Sequence, residues 1–152
     1  MKKLICMAVA VLLCLTLVAC TGIETTKSLT FHVATGDKVC VSLKTGDGYK
    51  LHMGGDEFNG EFNVSKDDDT VLFGTFIYAE ACPAYVEDIY QSAIRYEEIE
   101  NGLFYQYPGD DGVQNDFIIM IPGSNTAVVL GSLADEAAAK AAFERLTIKL
   151  AD

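Results

Sequence analysis

The sequence predicts an α+β fold: a single antiparallel sheet of about seven to nine strands with two packed helices, ordered as four strands, a helix, four strands, a helix and a closing strand. Three observations lead there. Short stretches of alternating apolar and polar residues recur between turns rich in Gly, Asp and Asn, the pattern of strands with one buried face. Two segments, after Cys82 and after Asp135, repeat their apolar residues at helical spacing instead. Runs of hairpins separated by single helices give an antiparallel sheet covered by helices, since a parallel sheet needs a crossover between every pair of strands.

The elements follow in chain order. Phe31 and Val33 suit a short first strand. Val39, Val41 and Leu43 alternate, as do Tyr49, Leu51 and Met53, and Thr45-Gly46-Asp47-Gly48 between them predicts a hairpin. After Gly54-Gly55-Asp56, Phe62 and Val64 mark another strand. Lys66 to Thr70 then makes a polar turn, and Val71 to Tyr78 is an apolar run of β-formers. Pro83 fits the first turn of a helix that carries Val86, Ile89, Tyr90 and Ala93 on one stripe. Asn101-Gly102 predicts a tight hairpin between strands at 95–100 and 103–107. Phe117 to Ile121 and Thr126 to Leu130 are apolar enough for central strands. Ser132 or Asp135 caps an Ala-rich helix to about Leu146, with Ala138, Ala142, Phe143 and Leu146 inward, and Thr147 to Leu150 suits an edge strand.

The chain begins differently. Lys2 and Lys3 precede an uncharged, largely apolar run from Leu4 to Ala19, shorter than the roughly 20 helical residues that cross a bilayer core. That is the build of a signal peptide. Leu17-Val18-Ala19-Cys20 resembles the lipobox of bacterial lipoprotein precursors. The resemblance implies a diacylglyceryl thioether on Cys20, cleavage before it, and a domain outside the cytoplasm tethered to the cell membrane or outer membrane. The expected organisation is a signal at residues 1–19, a lipidated N-terminus and tether at 20–30, and one α+β domain at 31–152. The element order, together with the tail Phe143-Glu144-Arg145-Leu146-Thr147-Ile148-Lys149-Leu150, is similar to that of PsbP-like α/β/α sandwich lipoproteins. That resemblance implies an accessory or binding role and assigns no functional residue.

Removing the signal leaves about 130 residues, enough for one core that buries roughly two-thirds of the unfolded surface. The formal net charge of −11 becomes two units more negative, because Lys2 and Lys3 leave with no acid. Such a charge argues against nucleic acid as a partner and against anionic lipid headgroups binding the folded domain. Cys6 and Cys14 leave with the signal and Cys20 is used for lipid, so Cys40 and Cys82 remain. In an oxidising compartment they would form a disulfide, and in an anaerobic host both would stay reduced.

Little in the chain suggests catalysis. No nucleophile elbow, HExxH, P-loop or dinucleotide fingerprint occurs. His32 and His52 are the only histidines, too few for a typical zinc site, and no cofactor is expected. Cys40 with His52 across the first hairpin is the single candidate for a thiolate–imidazolium pair. Asp67, Asp68 and Asp69, near Asp56, Glu57 and Glu61, offer oxygens for Ca²⁺ but lack EF-hand spacing, as do Asp110, Asp111 and Asp116. Tyr96, Tyr105 and Tyr107 would share a sheet face and supply contact area with polar tips, either to a partner or beneath a helix. Three classes follow: a non-catalytic module that recognises another envelope protein or a peptide, the preferred one; a small-ligand or Ca²⁺-binding lipoprotein; and an envelope hydrolase or thiol enzyme.

Overall fold

The computed structural model describes residues 24–55, 60–110 and 112–152; the expected signal segment, 1–19, and Cys20 lie outside them. The described residues form β1 (Thr26–His32), β2 (Lys38–Lys44), β3 (Tyr49–Gly54), β4 (Glu61–Lys66), β5 (Asp69–Tyr78), a 3₁₀ turn (Ala79–Ala81), α1 (Cys82–Ser92), β6 (Arg95–Ile99), β7 (Gly102–Gly109), β8 (Gly112–Met120), β9 (Thr126–Gly131), α2 (Glu136–Phe143) and β10 (Leu146–Leu150). The α+β class stands, but the single sheet does not. The strands divide into a small sheet, β1-β2-β10, and a large one, β3-β4-β5-β9-β8-β7-β6. Five strands, not four, precede α1. β1 starts at Thr26, paired with Lys44, so the end of the expected 20–30 tether is part of the small sheet.

The division arises at the segment expected to be a hairpin. Gly46, Asp47 and Gly48 all have positive φ (128°, 48° and 81°), which swings the chain out of the β2 plane, and only Gly46 and Tyr49 bridge across the turn. β3 pairs with β4 instead. The second edge of β2 is taken by β10, with Ile148 opposite Val41. Arg145, just before β10, fixes the corner: its guanidinium reaches Asp47 at 2.6 Å and lies over the Tyr49 ring at 4.5 Å.

The inner faces of the two sheets meet. Phe31, Val39, Val41 and Leu43 of the small sheet pack with Leu51, Phe62, Val64 and Leu130 of the large one. α2 covers the rest of the same face with Ala139 and Ala142, next to Phe117, whose ring stacks on Phe143 at 4.4 Å. Asp135, not Ser132, caps α2, its carboxylate accepting from the Ala138 N–H at 2.8 Å. On the opposite face of the large sheet, Cys82 and Ile89 of α1 bury Leu103, Tyr105, Ile118 and Ala127. The layers therefore run α1, large sheet, then small sheet beside α2.

Two turns carry chemistry that the sequence marked for other reasons. Asp67 and Asp68 occupy the two-residue turn between β4 and β5 at φ 51° and 73°, a left-handed geometry that Asp tolerates better than most residues. In the next half, Ile99 pairs with Gly102, so the turn is Glu100-Asn101, one residue earlier than the Asn-Gly signal implies. Gly102 is needed as the first residue of β7, because a Cβ there would stand 1.9 Å from the Ile118 carbonyl oxygen.

Candidate functional site

Strand alternation and register decide which side chains share the outer face of the large sheet. Pairing places His52 beside Asn63, Asn63 beside Phe73, and Phe73 beside Gly131. Asp116 pairs with Tyr105, and Tyr105 with Tyr96. The Asp116 carboxylate stands near Gly131, accepting at 3.2 Å from the adjacent Ser132 N–H. A single row, His52, Asn63, Phe73, Gly131, Asp116, Tyr105, Tyr96, thus crosses the sheet.

α1 covers only the second half of this row. Tyr105 is 4% exposed beneath it, and burial pushes its phenol well above the usual range. Tyr107 donates to Asp88 of α1 at 3.0 Å, and its ring meets Tyr105 edge-on. Tyr96 is half exposed and packs its ring 4.7 Å from Tyr90. Tyr90, expected on the buried stripe of α1, is therefore on the helix flank. Of the three tyrosines expected to meet a partner, Tyr96 lies at the surface, Tyr107 is tied to α1, and Tyr105 is a core residue under the helix.

The uncovered half contains the feature the sequence did not disclose. Phe73 is 53% exposed in the middle of a strand. Around it, Gly54, Glu61, Asn63, Thr75, Val129 and Gly131 line a groove of about 410 Å³. Gly131 keeps the groove open: among the described residues, the sole atom within 4 Å of a Cβ there would be the Asp116 oxygen, at 3.7 Å. Burial raises the Asp116 carboxyl above the usual carboxylate range, partly opposed by the Ser132 N–H. The groove offers an aromatic floor, an amide and an acid at its margin. Covering the exposed half of Phe73 would stabilise a bound group by about 1 kcal/mol.

A larger cleft, of about 640 Å³, lies between the β7–β8 hairpin and the start of α2. Most of its polar groups are occupied with one another or with neighbouring elements. Gln106 donates to Asn115 and Glu136, Asn115 donates to the Ala134 carbonyl, and Glu136 also pairs with Arg95 and Lys140. The hydrogen bond from Lys140 holds Glu136 below its usual range. These contacts join α2 to the sheet and leave few groups for a ligand.

The remaining candidates separate in space. Cys40 and Cys82 are free thiols. Cys40 is on the outer face of the small sheet and Cys82 lies under α1, so both sheets stand between them and the disulfide is absent. Burial raises the Cys82 thiol. Cys40 does not meet His52 either, because β2 and β3 belong to different sheets and each residue faces outward. His52 pairs instead with Ser65 at 3.0 Å, but Ser65 is 4% exposed, too enclosed for a nucleophile awaiting substrate. Asp68 is bound to Lys50 at 2.6 Å, Asp67 shares the turn with it, Asp69 opens β5, and no group of three metal-ligating side chains occurs among the described residues. Asp56, Glu57 and Asp111 lie outside those residues. Among the described residues no helix is long and apolar enough to cross a membrane. Comparisons with family models, with curated proteins and with solved structures find no match to this chain.

Proposed function

We propose that this is a lipid-anchored envelope protein whose domain is a non-catalytic recognition module, binding a protein or peptide partner on the open half of the large sheet's outer face. The anchor reading rests on Leu17-Val18-Ala19-Cys20 and the apolar segment before it. The observation that carries the recognition reading is Phe73, an aromatic side chain half exposed on an interior strand of a seven-stranded sheet, in a groove that Gly131 leaves open. Exposed aromatic anchors of this kind dominate binding energy at protein interfaces. On the same face, Tyr96 of the edge strand β6 packs against Tyr90 on the flank of α1. Crosslinking of the intact protein on living cells, followed by mass spectrometry, tests this: Phe73→Ser should abolish recovery of the partner while leaving the unfolding midpoint unchanged. Full recovery with Phe73→Ser would exclude this face. Separately, Cys20→Ser should leave unprocessed precursor, and normal maturation of that variant would refute the anchor.

A further inference from the structure

The outer face of the small sheet has a composition unlike the rest of the molecule. Strand alternation points Thr26, Ser28, Thr30 and His32 of β1, Lys38, Cys40, Ser42 and Lys44 of β2, and Thr147 and Lys149 of β10 to one side. Their opposite phase, Phe31, Val39, Val41 and Leu43, fills the core. The outward set holds three lysines, a histidine, five hydroxyl groups and no carboxylate, in a chain with 22 acidic residues against 11 basic ones.

The lysines are also free to act outward. Lys50, Arg95, Lys140 and Arg145 are engaged in ion pairs, whereas Lys38, Lys44 and Lys149 form none among the described residues. Lys38 and Lys44 stand at the two ends of β2, about 20 Å apart, and Lys149 lies beside Cys40 midway along. The nearest acids turn elsewhere. Glu24 and Asp47 pair with Arg145, and Asp37 accepts from the Asn125 N–H and the Thr126 hydroxyl; Asp152 follows the end of β10 at the rim. On the far side of the molecule, α1 carries Glu87 and Asp88 and no basic residue. The fold therefore sorts a strongly acidic composition into one basic face and an acidic opposite surface.

We infer that this face lies against the anionic phospholipid surface of the membrane in which the lipid on Cys20 is held. The inference rests on the anchor reading above. Position supports it as well as charge. β1 is the first described strand and an edge of this sheet, and the six residue steps from Cys20 to Thr26 reach at most about 22 Å when fully extended. A domain held that close presents some face to the headgroups. The electrostatics select the one without carboxylates, each lysine near an anionic bilayer strengthening the hold about fivefold. Total charge argues against such contact, but the charge within a Debye length of the surface decides it. Docked this way, the Phe73 groove faces away from the membrane toward partners.

Cys40, at the centre of the face, reports on it. The mature lipidated protein is reconstituted into vesicles of phosphatidylcholine alone or phosphatidylcholine with abundant phosphatidylglycerol, and alkylation by an uncharged polyethylene-glycol maleimide is timed. Cys82, buried under α1, serves as the unreactive thiol. Cys40 should react at least about fivefold more slowly on the anionic vesicles, and high salt or K38S/K44S/K149S should remove the difference. Co-flotation with vesicles reads the anchor independently. Flotation with equal Cys40 rates on both compositions would overturn the docking face and leave the anchor intact. Absence of flotation on either vesicle would overturn both. Protection by isolated anionic wall polymer in place of vesicles, with none on phosphatidylglycerol, would assign the face to that polymer and overturn the membrane.

Discussion

The two outer surfaces of this sandwich differ more than their common core would suggest. Over the small sheet, the outward positions are Lys, Ser and Thr around one cysteine. Over the large sheet, they are aromatic, amide and acidic groups, half covered by α1 and half open around Phe73. Each strand has the same alternation of buried and exposed residues, so the fold is indifferent to what the outward positions contain. Those positions are where function is free to be written, and here the two sides differ in charge and in aromatic content.

Loss of the shared core should remove both surfaces together, with the largest effect. Phe117 is 1% exposed between Phe104 and Phe143, and Phe117→Ala should lower stability in urea by about 3–5 kcal/mol, with loss of secondary structure and alkylation of the buried Cys82 following one transition. Two separate transitions would mean that the two sheets unfold as independent units. Ile89→Ala addresses α1 alone. A loss of about 2–5 kcal/mol is expected, with Cys82 alkylated much faster and Cys40 unchanged; equal acceleration of both thiols would show that α1 also supports the small sheet.

Smaller changes sharpen the contrast. The folded carboxyl of Asp116 titrates above its unfolded value because burial disfavours its charge. Its ionised form therefore opposes folding at neutral pH, and that penalty is relieved as pH falls through the raised folded value. Asp116→Asn, which keeps an oxygen for the Ser132 N–H, should melt slightly higher than the native protein at neutral pH and identically in acid. A lower melting temperature at neutral pH would contradict this. The smallest effect belongs to the lysine face, where Lys38→Ser, Lys44→Ser and Lys149→Ser should each change stability by less than about 0.5 kcal/mol. A larger loss would make those lysines structural.

Much of the local structure was legible in the sequence because it depends on neighbours. Pro83 near the start of α1, Asp135 as one of two cap candidates for α2 and the strand character of 147–150 each follow from a few adjacent residues, whereas Leu146, expected on the helix stripe, opens β10. The division into two sheets was not. Val39, Val41 and Leu43 with Tyr49 and Leu51 alternate identically in a flat hairpin and in a corner between sheets. What selects the corner is β10 on the edge of β2 and Arg145 beside Asp47, about a hundred residues away in the chain. The tyrosine face was half legible for a similar reason. Alternation placed Tyr96, Tyr105 and Tyr107 together, but only the path of α1 determines that Tyr105 is covered while Phe73, unremarkable within an apolar run, is left open. Net charge is silent in the same way, since a sum over the chain holds no record of which lysines share a face.

The most direct test is site-specific photo-crosslinking in living cells, with the photoreactive residue placed at Thr75, beside Phe73 in the groove, or at Ser42, on the lysine face. A discrete protein adduct is expected from Thr75 and lipid adducts from Ser42. A protein adduct from Ser42 with none from Thr75 would contradict this, and would move recognition to the face assigned here to the membrane.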